Sequence, residues 1–120
     1  MKLLQRDKEV LGNLKSWLET QIAEEVSIER LCRQSGLNRD KLIKGFKEIY
    51  GVTPCTFQLQ TRIQEARRLL RESEIPVTEV AWTLGYQHVS SFCTAFKENT
   101  GLSPLSYRNS VREQTLETSK

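Results

Sequence analysis

Few residues in this sequence have side chains suited to catalysis or to metal binding. Cys32, Cys55 and Cys93 are widely spaced, without a Cys-x-x-Cys pair, and His88 is the only histidine among the 120 residues. A tetrahedral zinc site requires four clustered Cys or His ligands, so we interpret the cysteines as free thiols. The sequence also lacks a paired general acid and base and a glycine-rich phosphate loop. It therefore predicts a protein that is not an enzyme and that uses no metal or cofactor.

Charged side chains are the remaining candidates for function, and their distribution is uneven. The chain carries 18 Lys and Arg against 15 Asp and Glu, a formal net charge of +3. Residues 26–53 contain six basic and three acidic groups, whereas residues 76–104 contain one basic and two acidic groups. The basic excess of the whole chain thus equals that of residues 26–53. Because affinity for nucleic acid comes largely from neutralised phosphates, this segment is the first candidate for such binding.

Length and composition limit the architecture that can present these charges. A chain of 120 residues fits one compact domain and is too short for an α/β barrel. Hydrophobic residues make up 38% and charged residues 28%, which is ordinary for a soluble protein. No apolar run is long enough to span a bilayer, and the first residues do not read as a signal peptide. We therefore expect a cytoplasmic protein without a membrane partner.

The spacing of apolar residues is typical of helices almost throughout. A first helix is expected within residues 1–25, with an apolar stripe that extends to Ile22. Further helices are expected to begin at good capping residues and to end near glycines, and a long one should cover about 54–72. No segment alternates with period two over the length of a strand. The predicted fold class is all-α with about seven helices, packed on Phe46, Phe57, Trp82, Phe92, Phe96 and Tyr107.

An internal repeat lies within this series of helices. Residues 28–37 match residues 77–86 at an offset of 49, and residues 42–57 match residues 92–107 at an offset of 50. Each copy predicts a short helix, a tight turn at a glycine and a second helix, which is the layout of a helix-turn-helix. The two units are expected at about 27–52 and about 77–100. A second helix presented in this way has the right shape for the major groove of DNA.

Two such units joined by a long helix resemble the AraC family of bacterial transcription regulators. The matching residues run from Ser27 to Arg108, 82 of the 120 positions. They include Arg62-x-x-x-Ala66-x-x-Leu69-Leu70 in the long helix, and the ending Gly85-Tyr86 … Phe92-x-x-x-Phe96-Lys97-x-x-x-Gly101-x-x-Pro104-x-x-Tyr107-Arg108.

The resemblance implies one DNA-binding domain over residues 1–120. Its two recognition helices would enter successive major-groove segments of double-stranded DNA and so activate or repress transcription. A C-terminal helix is expected at about 104–110, with a frayed tail from Val111 onward. RNA polymerase, and a sensor or dimerisation domain outside this chain, are the further partners that the resemblance implies.

The resemblance also implies DNA contacts for the first recognition helix, which should begin near Arg39. Arg and Lys can donate to guanine, Asp can accept from cytosine, and an isoleucine can contact a thymine methyl group. For Lys44, a base contact and a phosphate contact or solvated charge both remain open, whereas Lys41 and Lys47 are expected to contact phosphates. The predicted DNA-binding residues are Arg39, Asp40, Lys41, Ile43, Lys44 and Lys47.

The second recognition helix is expected from about His88 to Asn99. This chain departs from the family pattern here, because His88 stands where an Asp is common, Ser90-Ser91-Phe92 stands where Ser-Tyr-Phe is common, and Thr94 stands where a basic residue is frequent. Base contacts by Gln87 or His88, and a role of His88 as a plain helix cap, both remain open. The predicted DNA-binding residues are Gln87, His88, Val89, Ser90, Cys93, Thr94 and Lys97.

Two helix starts complete the predicted interface. Thr53-Pro54 and Ser103-Pro104 each place a capping hydroxyl before a proline at the first helical position. Exposed amides at helix starts bind phosphates, so Thr53 and Ser103 are predicted phosphate contacts as well as caps.

The alternative function is a helical protein-interaction module whose second unit reads DNA weakly or not at all, which the near-neutral charge of residues 76–104 favours.

Overall fold

The computed structural model describes residues 2–118, and the side chains of residues 2–113. This part of the chain forms seven helices and no strand, which confirms the predicted fold class. The helices are α1 Gln5–Leu18, α2 Ile28–Ser35, α3 Arg39–Tyr50, α4 Pro54–Glu72, α5 Val77–Thr83, α6 Val89–Thr100 and α7 Pro104–Thr118. None of them is long and apolar enough to cross a membrane, as far as residues 2–118 are concerned.

The chain divides into two compact units, one up to Thr61 and one from Arg62 onward. The long helix α4 begins in the first unit and ends in the second. Each unit contains one helix-turn-helix, α2 with α3 in the first and α5 with α6 in the second. The expectation that the whole chain forms a single domain stays a prediction.

Each unit has its own apolar core, built from one face of each of its helices. In both cores the second helix of the helix-turn-helix contributes two side chains one turn apart that are fully buried. The core of the first unit contains Leu11, Leu14, Leu18, Val26, Leu31, Leu42 and Phe46. The buried apolar residues of the second unit are Ile63, Ala66, Leu70, Val80, Ala81, Leu84, Phe92 and Phe96.

The two units repeat the same local geometry. Phe46 and Phe57 stack edge to face with ring centroids 5.7 Å apart, and the equivalent Phe96 and Tyr107 do so at 5.5 Å. The turn glycines adopt positive φ angles, 75° at Gly36 and 84° at Gly85. Only glycine takes this left-handed conformation without a steric penalty, which explains why both copies keep it after the first helix.

Three expectations about the helices are corrected. Helix α1 ends at Leu18 rather than near residue 25, because the Thr20 hydroxyl donates to the Trp17 carbonyl 2.6 Å away and closes the last turn. Ile22 therefore lies beyond the helix. Trp82 is 60% exposed and is not a core residue, since α5 turns its other side inward.

Helix α7 is longer than expected. It runs to Thr118, eight residues beyond the predicted end at 110. Arg112, in the part expected to fray, lies within this helix and forms an ion pair with Glu74 at 2.8 Å. Residues 119–120 of the predicted tail lie outside the described part of the chain.

Candidate nucleic-acid interface

The first recognition helix, α3, is fixed at its start by a cap and along its length by two buried side chains. The Asn38 side chain accepts a hydrogen bond from the Lys41 amide at 2.8 Å, which satisfies one of the free amides of the first turn. Leu42 and Phe46 are fully buried in the core of the first unit. Three residues at steps of four and three lie on the opposite face, and all are exposed: Asp40, Lys44 and Lys47.

The charges on this face are available to a ligand. Lys44 Nζ lies 3.1 Å from Asp40 Oδ1, but both side chains are about two-thirds exposed, so water and salt screen the pair. Arg39 and Lys47 are exposed and make no ion pair within the described residues. Ile43, one turn after Arg39, is half-buried at the flank of the face. The face and the neighbouring Arg39 thus combine two free cations, one loosely paired cation and one carboxylate.

Lys41 has a different environment from the other lysines of α3. Its ammonium group lies 2.9 Å from the carboxylate of Asp7, whose side chain is only 3% exposed. Asp7 also accepts a hydrogen bond from the Leu4 amide at 3.0 Å, at the start of α1. The hydrogen bonds from Leu4 and Lys41 hold the pKa of the Asp7 carboxyl below its usual range. Lys41 therefore connects α3 to α1.

Helix α6 presents the same pattern of positions with different residue types. Phe92 and Phe96 are fully buried, and Ser90, Thr94 and Lys97 occupy the exposed face opposite them. These three are the equivalents of Asp40, Lys44 and Lys47 at the repeat offset of 50. Val89 and Cys93 are half-buried at the flank. The second face therefore has hydroxyl groups at two positions where the first has charged groups, and it keeps one lysine at the third.

The turn before α6 leaves its polar side chains exposed. His88 is the residue that precedes the helix, but its side chain makes no capping hydrogen bond. Gln87 and His88 are both exposed to solvent. His88 is thus the cap residue of α6 through its backbone carbonyl, which accepts from the Ser91 and Phe92 amides at 3.1 and 3.4 Å, while its ring remains available for another contact.

Thr53 and Ser103 both cap the helices that follow them. The Thr53 hydroxyl accepts from the Thr56 amide at 3.3 Å, and the Ser103 hydroxyl accepts from the Ser106 amide at 3.2 Å. Each hydroxyl also bonds the side chain of the same partner, at 3.1 Å and 2.9 Å. The cap prediction is confirmed, while the phosphate contacts stay predictions.

Comparison with known proteins supports a common origin for this arrangement. Residues 31–110 match the family described as a helix-turn-helix domain. The transcriptional activator RhaS of Salmonella arizonae is 36% identical over 98 residues, which are 82% of this chain and 35% of the relative. The uncharacterised transcriptional regulator YdeC of Bacillus subtilis is 29% identical over 93 residues, 78% of this chain and 32% of the relative.

Solved structures share the fold. The DNA-binding domain of AdpA, determined in complex with a target DNA, superposes with a TM-score of 0.80 at 26% identity, over 87% of this chain and 94% of that one. A probable AraC family regulator from Rhodopseudomonas palustris has a TM-score of 0.72 at 21% identity, over 86% of this chain and 97% of that one. The chain belongs to the AraC family of helix-turn-helix domains. It is a DNA-binding domain of transcription regulators, and it spans about a third of the length of the curated relatives it matches.

Two residues that matter for this AraC-type domain were not singled out as functional from the sequence. Gln58 donates from Nε2 to the carbonyls of Gln21 and Glu24, at 2.9 and 2.6 Å, and accepts from the Val26 amide at 3.1 Å. Arg108, at the equivalent position of the second copy, donates to the carbonyls of Leu70 and Ser73 at 2.9 and 3.4 Å. Both side chains are buried, and both fix the segment that leads into a helix-turn-helix.

The signal for this pair was present in the repeat. Gln58 and Arg108 directly follow the matched aromatic residues Phe57 and Tyr107. Buried polar side chains need hydrogen-bond partners, so two long polar residues at one repeat position indicate a shared structural role. The different residue types at that position concealed it.

Proposed function

We propose that this chain binds double-stranded DNA sequence-specifically, with α3 and α6 in successive major-groove segments, and that it regulates transcription in the bacterial cytoplasm without catalysing a reaction. The observation that carries this proposal is the repeated outward face, with the same three helical positions exposed on α3 and on α6. The likeness to the AdpA domain, which was solved with a target DNA, supports it.

The two helices have different roles in this proposal. The first unit supplies most of the binding free energy, because phosphate neutralisation dominates affinity for DNA and the basic excess lies in residues 26–53. Arg39, Asp40 and Lys44 contact base edges, with Ile43 against a thymine methyl group. Lys47 contacts a phosphate. Lys41, which is paired with Asp7, contributes less than the other cations of α3.

The second helix contributes contacts that are mostly uncharged. Gln87, His88 and Thr94 read base edges, Ser90 contacts a phosphate, and Val89 with Cys93 forms the apolar flank against a thymine methyl group. Lys97, the only basic residue of α6, contacts a phosphate. Thr53 and Ser103 bring the first amides of α4 and α7 to the phosphate backbone.

Two further partners are proposed for the longer proteins, of which this chain matches about a third. RNA polymerase is the proposed protein partner on DNA, and a sensor or dimerisation domain is the proposed source of control.

The experiment begins with selection of bound duplexes from a random library. The selected duplex and all its single-base variants are then bound by the wild type, by Lys44→Ala and by Lys47→Ala across a series of salt concentrations. Lys44→Ala should relax preference at one base pair, with a loss of about 1–3 kcal/mol on the selected duplex. Lys47→Ala should weaken all duplexes alike and reduce the slope of log K against log salt by about 0.9.

Lys8→Ala is the matched control, since it removes one exposed lysine from α1, outside both helix-turn-helix units. Its slope should change by less than that of Lys47→Ala. A selected site with two segments centred about one helical turn apart supports reading by both units. A site with one segment supports reading by the first unit alone, and equal affinity for selected and scrambled duplexes contradicts the proposal.

A further inference from the structure

The start of α1 is joined to the flank of the first recognition helix by an ion pair between the buried Asp7 and the half-buried Lys41. Asp7 is 2% exposed, and its carboxylate holds both the Leu4 amide, at 3.0 Å, and the Lys41 ammonium group, at 2.9 Å. The hydrogen bond from the Leu4 amide orients the Asp7 carboxylate at the start of its own helix. Because the carboxylate is fixed from the α1 side, it specifies where the first turn of α3 lies.

A second contact lies one turn further along the same flank of α3. A Cβ atom placed on Gly45 would lie 3.1 Å from Leu3 Cδ2 and 3.1 Å from Leu11 Cδ1. The absence of a side chain at Gly45 therefore lets Leu3 and Leu11 approach the helix closely. Lys41 and Gly45 are four residues apart and share one side of α3. The segment from Leu3 to Asp7 therefore contacts this side of α3 at two positions one turn apart, Lys41 and Gly45.

We propose that Asp7 is a positioning residue for DNA reading by the first unit, which sets the angle of α3 through Lys41 and withholds Lys41 from the phosphate backbone. This inference rests on the proposed function for its consequence in DNA binding. It follows that three of the four basic side chains of α3 contact the DNA, namely Arg39, Lys44 and Lys47. The fourth, Lys41, stays paired with Asp7.

The matched positions in the described part of the second unit carry no equivalent of this ion pair and close approach. At the repeat offset of 50, Lys41 corresponds to Ser91, which is exposed and uncharged, and Gly45 corresponds to Ala95. Asp7 itself lies outside the region that matches the family, residues 31–110. The positioning contact is therefore specific to the first unit, the one with the basic recognition face.

The test compares Asp7→Asn with Glu9→Gln, which removes the same charge from an exposed position of α1. Asn at position 7 can still accept from the Leu4 amide, so the start of α1 is retained while the ion pair is lost. For Asp7→Asn on the selected duplex, the slope of log K against log salt should be steeper by about 0.9, because the freed Lys41 contacts one additional DNA phosphate. Discrimination against single-base variants should fall by about threefold or more, since base contacts depend on helix position.

Lys41→Met completes the test. In the wild-type background it should change the salt slope by less than about 0.3, and in the Asp7→Asn background it should cancel the added slope. A Lys41→Met slope loss as large as that of Lys47→Ala in the wild-type background would overturn the proposal. Equal slopes and equal discrimination in Asp7→Asn and Glu9→Gln would also overturn it.

Hydrogen exchange separates this inference from the proposed function, because it requires no DNA. Amides from Leu42 to Phe46 should exchange about tenfold faster in Asp7→Asn than in Glu9→Gln, as expected when a helix loses an anchor. Faster exchange without any preference among duplexes would contradict the proposed function and leave the anchoring role supported. Unchanged exchange in α3 would contradict the anchoring role directly.

Discussion

At the scale of single residues, Gln58 and Arg108 have the same structural role, although one is a neutral amide and the other a charged guanidinium group. Each binds carbonyl groups of the segment that leads into the helix-turn-helix of its unit. Gln58 offers one donor group and one acceptor and therefore also takes an amide. Arg108 offers only donors, and burial lowers the pKa of its guanidinium group. The charge-assisted bonds to Leu70 and Ser73 offset this cost of desolvation.

Replacing Arg108 by methionine should therefore destabilise the protein markedly. The substitution keeps an unbranched side chain but leaves two carbonyl groups near the end of α4 without their donor, and we expect a loss of about 2 kcal/mol in the free energy of unfolding. Arg112→Met is the matched control, because its ion pair with Glu74 is largely exposed and should be worth less than about 1 kcal/mol. Urea denaturation of both variants measures the difference. Equal losses would show that the Arg108 bonds contribute no more than a surface pair.

At the scale of helices, the contact between α1 and α3 depends on the absence of a side chain at Gly45. Glycine inside a helix costs up to about 1 kcal/mol relative to alanine, so an interior glycine needs a compensating contact. At Gly45 the compensation is the close approach of Leu3 and Leu11. Gly12 in α1 has more room, since a Cβ there would lie 3.5 Å from the Tyr50 hydroxyl, an ordinary contact distance.

The same substitution at the two glycines should thus give different results. Gly12→Ala should raise the free energy of unfolding by about 0.5–1 kcal/mol through helix propensity alone. Gly45→Ala should gain less than half of that, because Leu3 and Leu11 must move by a few tenths of an ångström to admit the methyl group. Thermal or urea denaturation of the pair checks this. An equal or larger gain at Gly45 would mean that α1 packs loosely on α3.

The helices themselves were largely predictable from local signals. Caps such as Asn38 and stops such as Gly36 act within four residues, so the sequence indicates the boundaries of α2 and α3. The Asp7–Lys41 pair was not predictable, because its partners are 34 residues apart and an Asp in a first turn reads as an ordinary helix start. The prediction of Trp82 as a core residue is wrong for a related reason. In the seven-residue α5, the spacing of apolar residues alone does not show which side a large residue faces.

At the scale of the whole molecule, the repeat has kept its geometry while its charge has diverged. The recognition faces of α3 and α6 use the same helical positions, but Asp40 and Lys44 of the first correspond to Ser90 and Thr94 of the second. Only the third position carries a lysine in both, Lys47 and Lys97. Because the apolar residues that orient each helix are retained, the divergence is confined to the outward face. A cation introduced there should therefore act on DNA without disturbing the core.

Thr94→Lys restores to α6 the cation that α3 has at Lys44. Thr94 is exposed and its side chain makes no hydrogen bond within the described residues, so the fold should tolerate the change. If α6 lies in a major groove, the added charge should steepen the slope of log K against log salt by about 0.9 and raise affinity for all duplexes at low salt. Asn109→Lys adds the same charge to an exposed position of α7, outside both helix-turn-helix units, and should change the slope by less. Equal slopes for the two variants would indicate that α6 does not approach the phosphate backbone, and that the first unit binds DNA alone.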